Sequence, residues 1–361
     1  MAEPVPDAAR TPSLTVVVCS LNGAAGVERA LLALARQTIA PDLETVLVDD
    51  GSSDGTADAG RRHGARVVVH AENRGLGAAR NSGLALARAR LVAFLDDDCE
   101  PLPDWAERLV AAHSSDDVVG VGGEVVPVSP QGFMGAYLSR HNPLRPLELD
   151  LVVREDAVYR FWRYLARNWR ASDPSGARRV FSLVGANMSF RADALRQVGG
   201  FDATMRFGSE DLDACMRLRD EFGDECLLLE PGARVLHHFH GDLRDTLRRS
   251  RAYGRGHSAM LAKFPTMTPT VFPLPLVTLG LLAVARRFPQ ALVVAAAVPH
   301  AVHPAGIRGV ARHGPVTLAD PYVSCLQEAA FNVGVVEGLR DRRQVGRRAL
   351  VALGRLGDGD R

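Results

Sequence analysis

From Leu14 onward the chain alternates short unbroken apolar runs with segments whose apolar positions recur every three or four residues. The runs are Thr15 to Cys19, Val46 to Val48, Val67 to Val69 and Leu91 to Leu95, each about as long as one buried strand. Between them, 27–37 places Val27, Ala30, Leu31 and Leu34 on one side, and 77–90 does likewise with Leu84 and Leu86. Continuous apolar strands separated by amphipathic helices predict an α/β fold, a mostly parallel sheet with helices on both faces. Val118 to Pro127 and the run ending at Val235-Leu236-His237-His238-Phe239-His240 read as two later strands. Ser209 reads as the N-cap of a helix over Leu212, Cys215, Met216 and Phe222, stopped by Gly223.

Ligands of parallel sheets gather at the carboxyl ends of the strands, and here those ends are polar. Cys19-Ser20-Leu21-Asn22 follows the first run, Asp49-Asp50-Gly51-Ser52-Ser53-Asp54-Gly55-Thr56 the second, Asn73-Arg74-Gly75 through Arg80-Asn81 the third, and Asp96-Asp97-Asp98 the fourth. Three adjacent acids repel one another, so the last arrangement suits a divalent cation with a polyanionic ligand. The plainer account is a solvated turn before a helix near Asp104. Asp49 or Asp50 suits a base or ribose, and Arg74 and Arg80 suit phosphate. Arg80 stands where a dinucleotide fingerprint beginning at Gly75 needs its third glycine, which argues against a Rossmann site.

A net charge of +1 supplies no field for nucleic acid. Lys263 is the single lysine, which removes Walker-type phosphate loops. Five scattered cysteines without paired spacing fit a reducing compartment, and the polar stretch up to Ser13 has no signal-peptide core.

The segments Val16 to Asn22, Val48 to Thr56, Asn73 to Gly83 and Phe94 to Asp98 resemble the successive motifs of family-2 glycosyltransferases with the GT-A fold. That resemblance implies a nucleotide-diphosphate sugar donor, a UDP-sugar, bound along the sheet edge by Ser20, Asn22, Asp49, Asp50, Arg74, Arg80, Asn81, Asp96, Asp97 and Asn187. It implies Mg²⁺ or Mn²⁺ on Asp96 and Asp98 of a DxD-type motif, with His238 as a further ligand. In Gly208-Ser209-Glu210-Asp211 it implies the base of an inverting displacement, Asp211, with Glu210 in reserve. Cys19-Ser20-Leu21 replaces the proline-threonine-tyrosine common in the family. Two rival functions are a sugar-nucleotide-forming nucleotidyltransferase, whose glycine-rich opening loop is absent, and a membrane-associated sugar-nucleotide-binding or scaffold protein without transfer activity.

The catalytic domain is expected over 13–240, with a helical, partly apolar extension over 241–361. Between Phe133 and Arg179 aromatics and arginines interleave, either as an acceptor platform or as an insertion packed on its own domain. Arg248 to Gly256 reads as a flexible lid or a basic face on anionic lipid. The apolar runs 271–285 and 291–298, divided by Arg286-Arg287, are too short to span a bilayer. They suit a buried hairpin or a peripheral membrane contact through 244–300, which would put a cytoplasmic protein at the inner face of the plasma membrane. The acceptor, whether glycan, lipid or small molecule, is not specified by the sequence.

Overall fold

The computed structural model describes residues 11–128, 132–146, 157–169, 176–206, 208–239, 242–264 and 270–352. The strands are β1 (Leu14–Ser20), β2 (Leu43–Asp49), β3 (Arg66–Val69), β4 (Leu91–Asp96), β5 (Cys99–Pro101), β6 (Gly120–Val128), β7 (Arg178–Arg179), β8 (Asn187–Arg191) and β9 (Leu227–His238). The helices of the sheet domain are α1 (Ala24–Leu34), α2 (Thr56–Arg62), α3 (Leu76–Leu86), α4 (Trp105–Ala112), α5 (Phe133–Arg140), α6 (Ala157–Trp169), α7 (Ala192–Gln197) and α8 (Glu210–Phe222). The C-terminal part adds α9 (Leu243–Lys263), α10 (Pro273–Ala285), α11 (Ala291–Val302), α12 (Ala305–His313) and α13 (Asp320–Ala352).

Among the described residues all the strands join one sheet in the order β3-β2-β1-β4-β8-β6-β9-β5, with β7 beside β9. The half read from the apolar runs, β3-β2-β1-β4, is wholly parallel. Beyond β4 the pairing is mixed: β8 is antiparallel to both β4 and β6, while β9 is parallel to β6. Successive residues of β1 face opposite sides, as the two-residue strand period requires. Val17 and Cys19 join Ala79 and Leu84 of α3 and Leu218 of α8 in one core, and Val16 and Val18 join Val27 and Leu31 of α1 and Trp105 of α4 in the other. Both faces are therefore covered. Burying each such Leu or Val contributes about 1.5–3 kcal/mol, so these two layers supply most of the drive to fold.

Helices α5 and α6, from the aromatic and arginine-rich insertion, are fastened to α13. Tyr137 Oη pairs with Ser324 Oγ at 2.9 Å, Arg140 grips Asp320 through two 2.8 Å bonds, and Tyr164 donates to Glu328 at 2.9 Å. Tyr137 and Tyr164 thus pack the insertion onto the C-terminal helices, while Phe161 and Trp162 stay exposed. The domain boundary expected at 240 falls where 240–241, and with them His240, lie outside the described residues. The helices beyond it share side-chain contacts with both the insertion and the sheet domain.

Arg248 to Gly256 is not a loop but the middle of α9, which packs along α13 on one side and leaves Arg248 and Arg251 exposed on the other. Arg251 pairs with Glu337 and Arg255 with Asp341, and the glycines let the backbones touch: a Cβ on Gly254 would overlap the Phe331 carbonyl oxygen, and one on Gly334 that of Arg251. Helices α10 and α11 form a hairpin whose apolar side chains are largely in solvent, with Leu279 62% and Val293 73% exposed. Arg286 and Arg287 lie exposed in its turn, with no carboxylate partner among the described residues. Among those residues, no helix is long and apolar enough to cross a membrane.

Candidate active site

The carboxyl ends of β1, β2 and β4 bring the polar loops together, and hydrogen bonds between loops fix their shape. Asn22, in the left-handed region at φ 57°, donates its backbone N–H to Ser52 Oγ at 2.8 Å and accepts the Ser53 N–H on Oδ1 at 2.8 Å. Asp49 Oδ1 accepts the Ser52 N–H at 2.8 Å. Asp50 is spent more completely: it meets His70 Nδ1 at 2.6 Å and accepts the N–H groups of Arg74 and Gly75 at 3.0 and 2.8 Å. His70 Nε2 in turn reaches Ser82 Oγ at 2.9 Å, so a buried Asp-His-Ser relay ties β2, the loop after β3 and α3 together.

Several residues expected to touch the donor are occupied inside the protein. Arg80, 2% exposed, pairs with Glu210 at 2.5 Å, with Asp96 at 3.3 Å and with the Gly185 carbonyl at 3.1 Å, so it neutralises protein acids and does not present itself to phosphate. Asn81 exchanges two bonds with the backbone of Phe201, at 2.7 and 2.8 Å. Asn187 is fully enclosed, accepting from Trp105 Nε1 at 2.8 Å and donating to the Ala233 and Glu124 carbonyls at 2.9 and 3.1 Å. It braces α4 against the sheet. Arg74 does stand exposed at the rim.

The acidic run keeps open carboxylates. Asp96 caps β4 and its side chain is one-third exposed. Asp97 accepts from Ser20 Oγ, and burial, reinforced by the neighbouring Asp98 and Asp96 charges against the Ser20 hydrogen bond, raises its carboxyl to about 7. The register of β5 against β9 sets Cys99 opposite His237, and this brings His237 Nε2 to 3.3 Å from Asp98 Oδ1. His238 faces the other way, 2.6 Å from Glu100, so the histidine that meets the acidic run is His237. Burial pushes the His237 imidazole down to about 4, only partly opposed by Asp96, which keeps it neutral with a lone pair to give. Its ring stacks on Phe239 at 4.2 Å, and its buried Nδ1 has no hydrogen-bond partner.

Ligand atoms of Asp98, Cys99 and His237 lie within 4.8 Å of one another. Burial keeps the Cys99 thiol protonated well above its usual range, leaving carboxylate oxygen and imidazole nitrogen as the available donors. Crowded carboxylates beside a neutral imidazole fit a hard or borderline divalent cation.

Across the sheet edge, α8 opens at Gly208-Ser209, both left-handed at φ 93° and 75°. Ser209 holds the N-cap position but makes no capping bond with its side chain. Glu210 turns inward to Arg80 and is 3% exposed; burial raises its carboxyl, against the lowering pull of Arg80. Asp211 is less enclosed. Its two oxygens accept the N–H groups of Gly185 and Leu212 at 2.9 and 2.8 Å, which fixes the direction of the carboxylate. Arg249 and Tyr253, part of the stretch expected to form a lid, instead sit on the regular helix α9, with the Tyr253 ring beside Gly208 at the start of α8.

Residues 15–199 match the sequence profile of glycosyl transferase family 2, and 154–306 that of glycosyl transferase family group 2. The pre-mycofactocin glycosyltransferase of Mycobacterium tuberculosis is 32% identical over 259 residues, 71% of this chain and 49% of that protein. The glucosyl-dolichyl phosphate glucuronosyltransferase of Haloferax volcanii is 30% identical over 62% of this chain and 68% of its own. The chain thus spans about half the length of the first of these relatives. Among solved structures, the mannosyltransferase PcManGT from Pyrobaculum calidifontis, in complex with GDP-Man and Mn²⁺, aligns with a TM-score of 0.53 at 19% identity, over 93% of this chain and 90% of that one. On this sequence match, and with a sheet and helical extension like those of that GT-A enzyme, the chain belongs to glycosyltransferase family 2 and has its GT-A fold.

Proposed function

We propose that the protein transfers a sugar from a nucleoside diphosphate sugar, in the first instance a UDP-sugar, to an acceptor hydroxyl by metal-dependent, inverting single displacement. The observation that carries this reading is the convergence of the open Asp96 and Asp98 carboxylates and the neutral His237 on one sheet edge, with Asp211 at the start of α8 sharing the Arg80 region. Asp96, Asp98 and His237 would hold the cation; the imidazole favours Mn²⁺ over the more strictly oxygen-seeking Mg²⁺. When bound, such an ion neutralises the charge of a departing diphosphate. Asp211 receives the acceptor proton, with its orientation kept by the Gly185 and Leu212 amides. Arg80 holds Glu210 inside, which leaves Asp211 as the acid free to act, and exposed Arg74 is placed to meet the diphosphate from the rim.

The names of the relatives point to diverse acceptors, pre-mycofactocin in one and a glucosyl-dolichyl phosphate in another, and the acceptor here is a hydroxyl on a glycan, lipid or small molecule. Exposed apolar side chains on α10 and α11, with two unpaired arginines in their turn, support peripheral attachment at the inner face of the plasma membrane through 271–300. Within 244–263, α9 packs on α13 with one side and adds exposed Arg248 and Arg251 to the basic surface with the other.

The first test is a thermal-shift series with UDP- and GDP-sugars, with Mn²⁺ and with EDTA. A donor should raise the melting temperature only with metal present, and Asp98→Asn should remove most of that rise while still melting cooperatively. Equal shifts with and without metal in both proteins would sink the proposed metal role.

A further inference from the structure

Helix α9 enters the site from the C-terminal extension and is held there from two sides. Gly254 lies against the Phe331 carbonyl of α13, while a Cβ on Gly256 would sit 2.6 Å from the Gly208 carbonyl oxygen and 2.8 Å from Ser209 Oγ. The helix is thereby wedged between α13 and the left-handed turn that opens α8, and Tyr253 projects from the wedged segment. Its ring runs beside Gly208, 3.6 Å from where a Cβ of that residue would lie. About 41% of Tyr253 is exposed, and its hydroxyl has no hydrogen-bond partner among the described residues. Burial, with Asp96, Asp211 and Glu210 against Arg249, raises the phenol to about 12, so at neutral pH it is a donor and not an acceptor of protons.

The location of this unused donor is informative. Tyr253 borders Gly208, three residues before the proposed base Asp211 on the turn that opens α8. A group beside that turn borders the place where the sugar being transferred has to lie. A half-exposed aromatic ring with a free O–H matches a pyranose, which offers apolar C–H faces and hydroxyl rims. The same ring lines a small cleft with Leu138, Phe239 and Arg249. Arg249 engages Asp245 through Nε at 2.8 Å and places its charge beside His237 and Tyr253.

We propose that Tyr253 binds the sugar of the donor, its ring packing on the sugar face and its O–H donating to a sugar hydroxyl, so that the C-terminal helices form part of the transfer site. This rests on the transferase reading above. Calorimetry on the full chain separates the two: UDP and GDP, and a UDP- and a GDP-sugar, are each titrated with Mn²⁺ into wild type, Tyr253→Phe and Tyr253→Ala. Tyr253→Phe should weaken nucleotide-sugar binding about 5- to 10-fold, the scale of one lost hydrogen bond, and Tyr253→Ala should weaken it further. Affinity for the plain diphosphate should stay within about twofold in both, since the ring's contact is with sugar alone. Unchanged nucleotide-sugar affinity in both variants overturns the role of Tyr253 while leaving the transferase reading intact. An equal loss for diphosphate and nucleotide sugar also overturns it, as a merely structural effect. If wild type binds none of the four ligands, the transferase reading and this proposal fall together.

Discussion

Two adjacent acids at the start of α8 show how neighbouring residues acquire different work from their surroundings. Glu210 is buried against Arg80, and Asp211 is held by two backbone amides with part of its carboxylate open. Asp211→Asn should therefore lower turnover by about 10²-fold or more with donor binding nearly unchanged, because the lost interaction matters as the proton leaves. Glu210→Gln should act first on stability, on the order of 3 kcal/mol, because it strips a buried guanidinium of its nearest partner. Turnover and melting curves of the two variants distinguish the roles; an Asp211→Asn enzyme at wild-type rate moves the base elsewhere. Both acids and the Asp96 to Asp98 run were singled out in the sequence through the family resemblance, since acids at a strand end or helix start also serve as solvated turns and helix-dipole partners. The tasks of Arg80, Asn81 and Asn187 were not. Their partners lie from 16 to 130 positions away, and only the folded chain shows how those partners engage them. The choice between His237 and His238 hung on strand parity, which the β5 to β9 register decides.

At the level of elements, the parallel half of the sheet followed from apolar run lengths, because strands buried on both faces leave no polar alternation to misread. The antiparallel half was harder, since β5, β7 and β8 are short and take their places from partners distant in sequence. The C-terminal stretch was misread for a related reason. Arginine and glycine between Arg248 and Gly256 suggest mobility when taken alone, but the glycines are points of close helix contact and all four arginines are paired. Gly334→Ala tests that directly. Helix propensity predicts a gain of about 1 kcal/mol, whereas a methyl group driven against the Arg251 carbonyl predicts a loss. We expect a lower melting temperature for Gly334→Ala, and no loss for Gly280→Ala on α10, where an added Cβ meets nothing within 4 Å.

On the scale of the whole molecule, the apolar surface is concentrated on the helices beyond the sheet. Leu276, Leu279, Leu292 and Val293 are each more than half exposed, and Arg286 and Arg287 stand where lipid phosphates would meet them. Flotation with anionic liposomes at low salt should carry the protein upward, with less bound at high salt or on neutral vesicles. Protein that stays at the bottom in every condition, and is soluble without detergent, refutes peripheral attachment.

Lys263, the sole lysine, ends α9 and is held by Asp202 at 2.8 Å and Asp213 at 2.6 Å. A protease that cuts only after lysine therefore has one bond to act on, between Lys263 and Phe264. That cut divides the chain into 1–263 and 264–361, and so places α9 with Tyr253 on one fragment and α13 on the other. The two fragments retain the glycine contacts and the Arg251 and Arg255 ion pairs, so nicked protein can stay joined without a covalent link. Acylating the amine would close the cleavage site and, by removing the charge, leave the buried carboxylate of Asp213 with Arg217 alone.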